Sequence, residues 1–409
     1  MDKRSTVVSL ALFLFMPFLA LLRVFFYYKL PETKNVIWLF TIFYGLTFVI
    51  IGGGKDAARY KNDFVKLAED PHITFEEFTG YLYNEDTRYV DIAQPLISFI
   101  VSRFTNSPKY LFATFGLVFG FFYSRNINYL LLRVRQRMKP EAIPFIVLFA
   151  LLVAIWQING FRFWTAAHVF IYGIFNLNDG KKVKGILFST LSLLVHFSFV
   201  LPLIVLLFKL LLGNRIMLFF IIYFASFFID QVSPDSFTSY TSQLPSVFEE
   251  RTQSYLSEEY LETRMQDTHA NWYVEGRYTV FKYALTALLV VVFFKYRKDI
   301  REDTTLAGLL SFGLLLSSVT TILNGIPSMD RFYTVANMAI LAALFILVQM
   351  RRRTTFKWWV RIPFIASFVL YTIVEIRVGF DSMGLMTIIG NPLTTLFVEE
   401  DTPLINYIK

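Results

Sequence analysis

KGILFSTLSLLVHFSFVLPLIVLLFKLLL, residues 184–212, is the passage whose reading decides the fold. A helix needs about 20 apolar residues to cross the hydrocarbon core of a bilayer. This run is too long for one simple span, and it carries His196 and Pro202 near its middle. Four basic segments surround it at a distance: RVRQRMK within 132–139, GKKVKG (180–185), KYRKDIR (295–301) and QMRRRTTFK (349–357). Short basic loops between apolar runs stay on the cytoplasmic side. The chain must therefore cross an even number of times between GKKVKG and KYRKDIR. Taking 184–212 as one helix gives three crossings. Breaking it near His196 into two short helices gives four, and the parity closes. His196 is then expected at the outer tip of a broken hairpin, where non-helical backbone must be buried in protein or line a wet cavity.

The rest of the chain agrees with a membrane solvent. Of 409 residues, 55% are hydrophobic, 18% aromatic and only 17% charged, well below the quarter usual in soluble domains. Further spans are expected at roughly 6–28, 36–51, 110–131, 143–159, 162–178, 215–230, 277–295, 305–323, 331–349 and 358–378. The apolar stretch opening the chain has no small-residue cleavage site and reads as a retained span. Residues 91–105 are short for a crossing. If they cross, the segment around GGGKDAARYKNDF is cytoplasmic; if they are re-entrant, it lies outside. The expected fold is all-α: one integral membrane domain over 1–409, a transmembrane helical bundle of about 11–13 membrane segments. It has one broken hairpin at 184–212 and one large outer loop at 231–276.

From Asp230 to Arg277 that loop region holds nine acids and three bases. VFEERTQSYLSEEYLETRM within it has the pattern of an amphipathic helix, and NPLTTLF near the C-terminus that of a short interfacial one. The net charge of +8 is gathered in the basic loops, where it meets anionic lipid. Nucleic acid is not an expected partner. With no cysteine, disulfides and thiol catalysis are excluded. The four histidines are scattered, and there is no HExxH, Walker loop, dinucleotide fingerprint or GxSxG elbow. No metal or cofactor is expected, and no internal repeat of the transporter kind is visible.

A charge inside a span costs at least about 2.5–3.5 kcal/mol at a helix centre. The exceptions therefore carry information, and the topology puts them on one side. Arg162 opens a span after the outer turn INGF, Arg277 opens another after the acidic loop, and Arg331 opens a third after NGIPSMD. His196 lies at comparable outer depth. Guanidinium groups stay charged in a low-dielectric site and present a planar fork of donors to phosphate oxygens. Three of them around a wet cavity would attract a diphosphate held at the membrane surface. Each arginine can also be read as an interfacial anchor, and His196 or the deeper His168 as a hydrogen-bonded core residue. Asp56 and Tyr60 can equally be a solvated helix start.

These residues fall in ordered pieces: GGGKDAARY (52–60), QPLISFI (94–100), GFRFWTAA (160–167), the GKKVKG turn, VHFSFVLPL (195–203) and DRFYT (330–334). In their order and spacing the chain resembles the EpsG-like branch of the Wzy-type exopolysaccharide and O-antigen (capsule) polymerases. It departs from that pattern in reading Gly-Lys-Asp with no preceding Arg at 54–56, and Phe163 where a Gln is common after the central Arg. The resemblance implies a multi-pass protein of the bacterial inner membrane. It also implies a glycosyl transfer at the outer face, moving a glycan from undecaprenyl diphosphate onto a lipid-linked repeat unit without nucleotide sugar or metal. Arg162 and Arg331 at the diphosphate, and His196 or an outer carboxylate as general base, are then the catalytic candidates, with Asp56, Tyr60, Arg277 and Asp330 binding substrate. A chain-length regulator and a flippase would be partners. A transporter of lipid-linked oligosaccharide, or an O-antigen-ligase-like glycosyltransferase, would use the same outer cluster.

Overall fold

The computed structural model describes residues 3–50, 56–70, 72–80, 82, 91–233, 271–351 and 356–408. In chain order the helices are α1 (Lys3–Phe15), α2 (Pro17–Phe26), α3 (Thr33–Leu46), α4 (Asp56–Glu69), α5 (Phe75–Gly80), α6 (Ala93–Ser102), α7 (Pro108–Leu131), α8 (Ile143–Leu152), α9 (Phe161–Asn178), α10 (Lys182–Val195), α11 (Val200–Leu212) and α12 (Ile216–Ala225). They continue as α13 (Trp272–Glu302), α14 (Thr304–Ile322), α15 (Arg331–Met350) and α16 (Trp358–Gly379), then three one-turn helices, α17 (Met386–Ile389), α18 (Pro392–Thr395) and α19 (Ile405–Ile408). Short 3₁₀ turns link several of them, and no strand occurs among the described residues beyond two isolated bridges. The interfacial turn expected in NPLTTLF is α18. The amphipathic helix expected around 247–265 lies outside the described residues.

The chain is a polytopic helical membrane bundle. Among the described residues five helical stretches are long and apolar enough to cross a bilayer: Pro140–Asn178, Trp272–Glu302, Thr304–Gly325, Arg331–Met350 and Trp358–Gly379. The peripheral helices leave large apolar side chains uncovered, among them Phe15, Phe25, Phe208, Leu211 and Ile373. Apolar faces of that extent need lipid or a partner rather than water. The centre is α15, where almost every side chain from Phe332 to Val348 is buried. Its alanines at 336, 339, 342 and 343 let the surrounding helices approach closely.

The 184–212 run is broken where the parity of the basic loops demands. His196 takes an extended backbone (φ −154°, ψ 118°), followed by a 3₁₀ turn at Phe197–Phe199 and then α11. Pro202 falls in the first turn of α11, where a missing N–H costs no helical bond. The apolar stretch at 6–28 differs from the single span expected. It breaks at Met16, and Arg23 of α2 reaches Ser5 of α1 (3.3 Å), so the two helices fold back as a V. The cause is Pro17, which lacks an N–H and disfavours helical backbone at the residue before it.

All four basic segments meet at one end. Arg133 pairs with Asp179 (2.5 Å) and Arg351 with Asp299 (2.6 Å). Lys139 donates to the carbonyls of Val348 and Gln349 (both 2.9 Å) and to that of Arg351, capping the C-terminus of α15. Lys29 donates to Arg135 and Gln136 carbonyls at the same end. The opposite end is the polar one, and α6 belongs to it entirely. Its start is tied to the tip of the 184–212 hairpin through the Ile92 amide and the Leu194 carbonyl (3.1 Å). Arg103, just past its end, donates to the carbonyls of Leu67, in the last turn of α4, and Asp70, just after it. Helix α6, of only 10 residues, therefore does not cross. The segment carrying α4 shares the end that holds Arg162.

Helices α3 and α7 approach most closely. A Cβ built on Gly45 would lie 2.2 Å from the Phe112 carbonyl oxygen, and one on Gly116 2.4 Å from that of Thr41. Each contact is to backbone, which cannot step aside. Gly116→Ala should lower the melting temperature in detergent by an amount matching overpacking, about 1–3 kcal/mol. An unchanged melting temperature would show that α3 and α7 separate freely.

Candidate functional site

The polar end is organised by a residue outside the sequence expectations, Asp91. It precedes α6 and is buried. Its Oδ2 accepts from Nη1 of Arg162 (3.1 Å), in the first turn of α9, and its Oδ1 accepts from the backbone N–H of Phe197 (2.8 Å). One carboxylate thus bridges the central arginine to the hairpin tip, one residue past His196. Nε of Arg162 donates to the Tyr60 hydroxyl of α4 (3.2 Å). Burial pushes the Tyr60 phenol above its usual range and Arg162 opposes that rise, so at neutral pH it stays a protonated phenol. Arg162 is thereby held on two sides. The pairing is charge-assisted and enclosed, with side-chain exposures of 11% and 4%, a geometry that fixes a guanidinium rather than merely attracting it.

His196 is also fixed. Its Nδ1 accepts from the Ser198 amide (3.3 Å) and lies 2.8 Å from the Ser198 hydroxyl. With Nδ1 accepting, a neutral ring carries its proton on Nε2 and acts as a donor from that atom. The ring packs edge-on to Phe163 (5.4 Å between centroids), and the guanidinium of Arg331 sits 5.8 Å from the centre of the same Phe163 ring. Phe163 also packs against Phe332, the neighbour of Arg331, at 5.3 Å. The buried Phe163 ring is therefore the surface that His196 and Arg331 share. At this position, where a Gln is common in the family that the chain resembles, the aromatic ring has a packing role.

Arg331 opens α15 beside a cavity of about 410 Å³, with Asp330 and Trp164 also on its lining. That volume falls in the range of small-molecule sites, ~300–1,000 Å³. Lys282 of α13 lines the same cavity and donates to the Tyr333 hydroxyl (3.1 Å), which in turn donates to Thr321 (3.0 Å). The sequence signal for Lys282 was a lysine inside the run 277–295.

The remaining candidates are placed differently. Asp56 opens α4, pairs with Arg59 (2.6 Å) and is half exposed. The Ala57 amide beside it donates to Asn159 (3.3 Å) in the turn before α9, so the α4 start closes over Arg162. Arg277 is buried in a pair with Glu375 of α16 (3.1 Å), whose other oxygen accepts from Trp156 (3.0 Å). It also donates to the Tyr278 hydroxyl (2.8 Å) and to the Val274 carbonyl. The pair clasps α13 to α16 and to the 155–160 turn. His168 is fully buried, with Nε2 bonded to the Val153 carbonyl (3.1 Å) and Nδ1 to Asn126 (3.2 Å). Among the described residues no three His, Asp or Glu side chains gather closely enough to hold a metal ion.

The structure thus links Arg162 to the hairpin tip beside His196 through Asp91, holds Tyr60 on Arg162 with Asp56 at the start of the same helix, and sets Arg331 and Asp330 at the adjoining cavity. No curated protein and no solved structure matches the chain. A family model described as the EpsG family matches residues 36–386, a range that takes in the arginines, the broken hairpin and the cavity alike. The chain therefore belongs to the EpsG family, whose membership suggests an exopolysaccharide polymerase.

Proposed function

We propose that the chain polymerises a lipid-linked glycan at the outer face of the bacterial inner membrane. The donor is a glycan on undecaprenyl diphosphate and the acceptor is a lipid-linked repeat unit. The observation that carries this reading is the gathering at the end away from the basic loops of Arg162, fixed by Asp91, and of His196 and Arg331, which share the Phe163 ring, with Arg331 lining a cavity. An acceptor hydroxyl attacks the anomeric carbon of the donor. The bond from that carbon to the phosphate oxygen breaks, and the diphosphate leaves with the electron pair. Its gain in negative charge is met by fixed guanidinium donors, which act most strongly where charge develops.

The neutral ring of His196, with its proton on Nε2, suits donation of a hydrogen bond, not of the proton itself, to the departing phosphate, in place of the general-base role. The acceptor proton then goes to a carboxylate, for which Asp330 at the cavity is the assignment. Tyr60 and Asp91 hold Arg162 in place, and Asp56 closes the same mouth from α4. Purified protein supplied with lipid-linked repeat units already on the outer leaflet should yield a ladder of longer products. Binding with no ladder would make the protein a carrier of the same lipid. Transfer to lipid A in place of a growing chain would make it a ligase.

A further inference from the structure

Lys282 stands ten residues inside α13, about 15 Å from that helix's start, within a run otherwise suited to hydrocarbon. A cation there is costly unless it is used. Its amine does not escape to the interface. It points into the bundle, donates to Tyr333 (3.1 Å) and lies 4.5 Å from the centre of that ring. Among the described residues no carboxylate lies within ion-pair distance of it, whereas Arg277, five residues earlier, is neutralised by Glu375. Five residues turn a helix by roughly 140° beyond a full circle. The two cations of α13 therefore serve opposite sides, Arg277 facing α16 and Lys282 facing α15.

On that second side Lys282 shares its cavity with Arg331. Tyr223, Tyr278 and Tyr333 add phenols to the lining, while Phe281, Leu285 and Leu289 make an apolar wall running along α13. Two cations from different helices, phenol donors and an apolar wall match an amphiphile with a multiply charged oxyanion head and a hydrocarbon tail. Asp330 adds one carboxylate to the lining, and the two cations still leave it net positive, which favours an oxyanion head over a neutral sugar.

We propose that Lys282 is a phosphate-binding residue. With Arg331 it forms a two-cation clamp that takes a polyprenyl diphosphate, the tail lying along Phe281, Leu285 and Leu289. The inference rests on the polymerase reading only for the glycan that the diphosphate carries. Arginine grips phosphate as a fork and lysine as a mobile point charge. Lys282 can thus follow the second phosphate while Arg331 holds the first.

The test is binding of undecaprenyl diphosphate and undecaprenyl monophosphate to the full chain in lipid nanodiscs, for wild type, Lys282→Met, Lys282→Arg and Tyr333→Phe. Lys282→Met is expected to weaken diphosphate binding roughly tenfold or more, as befits a lost charge-assisted contact. It should weaken monophosphate binding much less, so that the preference between the two lipids collapses. Lys282→Arg should keep the preference. Tyr333→Phe, which removes only the hydroxyl to which the amine donates, should shift it modestly and guards against misfolding of the methionine variant. A Lys282→Met protein with wild-type melting temperature and an unchanged preference would overturn the proposal, as would wild-type protein that binds neither lipid. Failure of the polymerase reading looks different: binding and preference as expected, with no ladder of products.

Discussion

Arg162→Ala is expected to abolish long-chain polysaccharide and leave single repeat units, at protein abundance equal to wild type. Loss of one preorganised donor at a developing oxyanion costs about 10²–10³ in rate, and Arg162 is held in position from two directions by Asp91 and Tyr60. The alanine variant also strands the Asp91 carboxylate, a separate injury. The double variant Arg162→Ala with Asp91→Asn removes that charge and keeps an oxygen for the Phe197 amide. It should recover the melting temperature lost by the single variant while still producing no long chains. Arg162→Lys should be nearly as inactive, because an ammonium cannot address Tyr60 and Asp91 with the geometry of a planar fork. Wild-type chain length in Arg162→Ala, read by electrophoresis of the polysaccharide, would sink the assignment.

The second large effect is on stability. Arg277 and Glu375 are 4% and 1% exposed, and their contact joins α13 to α16. Removing one member of such a pair leaves an uncompensated buried charge, with a cost of about 3–5 kcal/mol. Arg277→Met and Glu375→Leu should each unfold in detergent far below wild type. The two together should return most of the loss, because apolar side chains of similar volume replace a buried pair at little net cost. The same double variant decides the role expected of Arg277 from the sequence. Full-length polysaccharide from it would make Arg277 a clasp between helices. A stable but inactive double variant would keep Arg277 among the substrate ligands.

What was legible in the sequence followed from rules that act along the chain. The break at His196 came from counting basic loops, and the gathering of those loops at one end supports the count through Arg133–Asp179, Arg351–Asp299 and the Lys139 cap. The arginines at span starts were visible because charge beside hydrocarbon is conspicuous. Asp91 was not visible, since a lone aspartate before a short apolar stretch looks like an ordinary loop residue. Only folding brings it to Arg162 and the Phe197 amide, 71 and 106 positions away. The V at Met16–Pro17 was missed for a different reason: hydropathy averages over a proline that local backbone sterics cannot ignore. Lys282 and Glu375 were hidden by their surroundings, their partners lying on other helices.

The broken hairpin has a consequence for the lipid around it. Helices α10 and α11 hold 14 and 13 residues, about 21 and 20 Å of rise, against a hydrocarbon thickness of about 30 Å. A bilayer meeting so short a wall relieves the mismatch by thinning beside it. Thinning of this kind would bring the headgroup layer on the polar side down toward His196, and water and phosphate with it. On the proposed function, a polyprenyl diphosphate diffusing in that leaflet would meet a local depression in the membrane. Its charged head would then reach the Arg162 and Arg331 side of the protein without being dragged through oil.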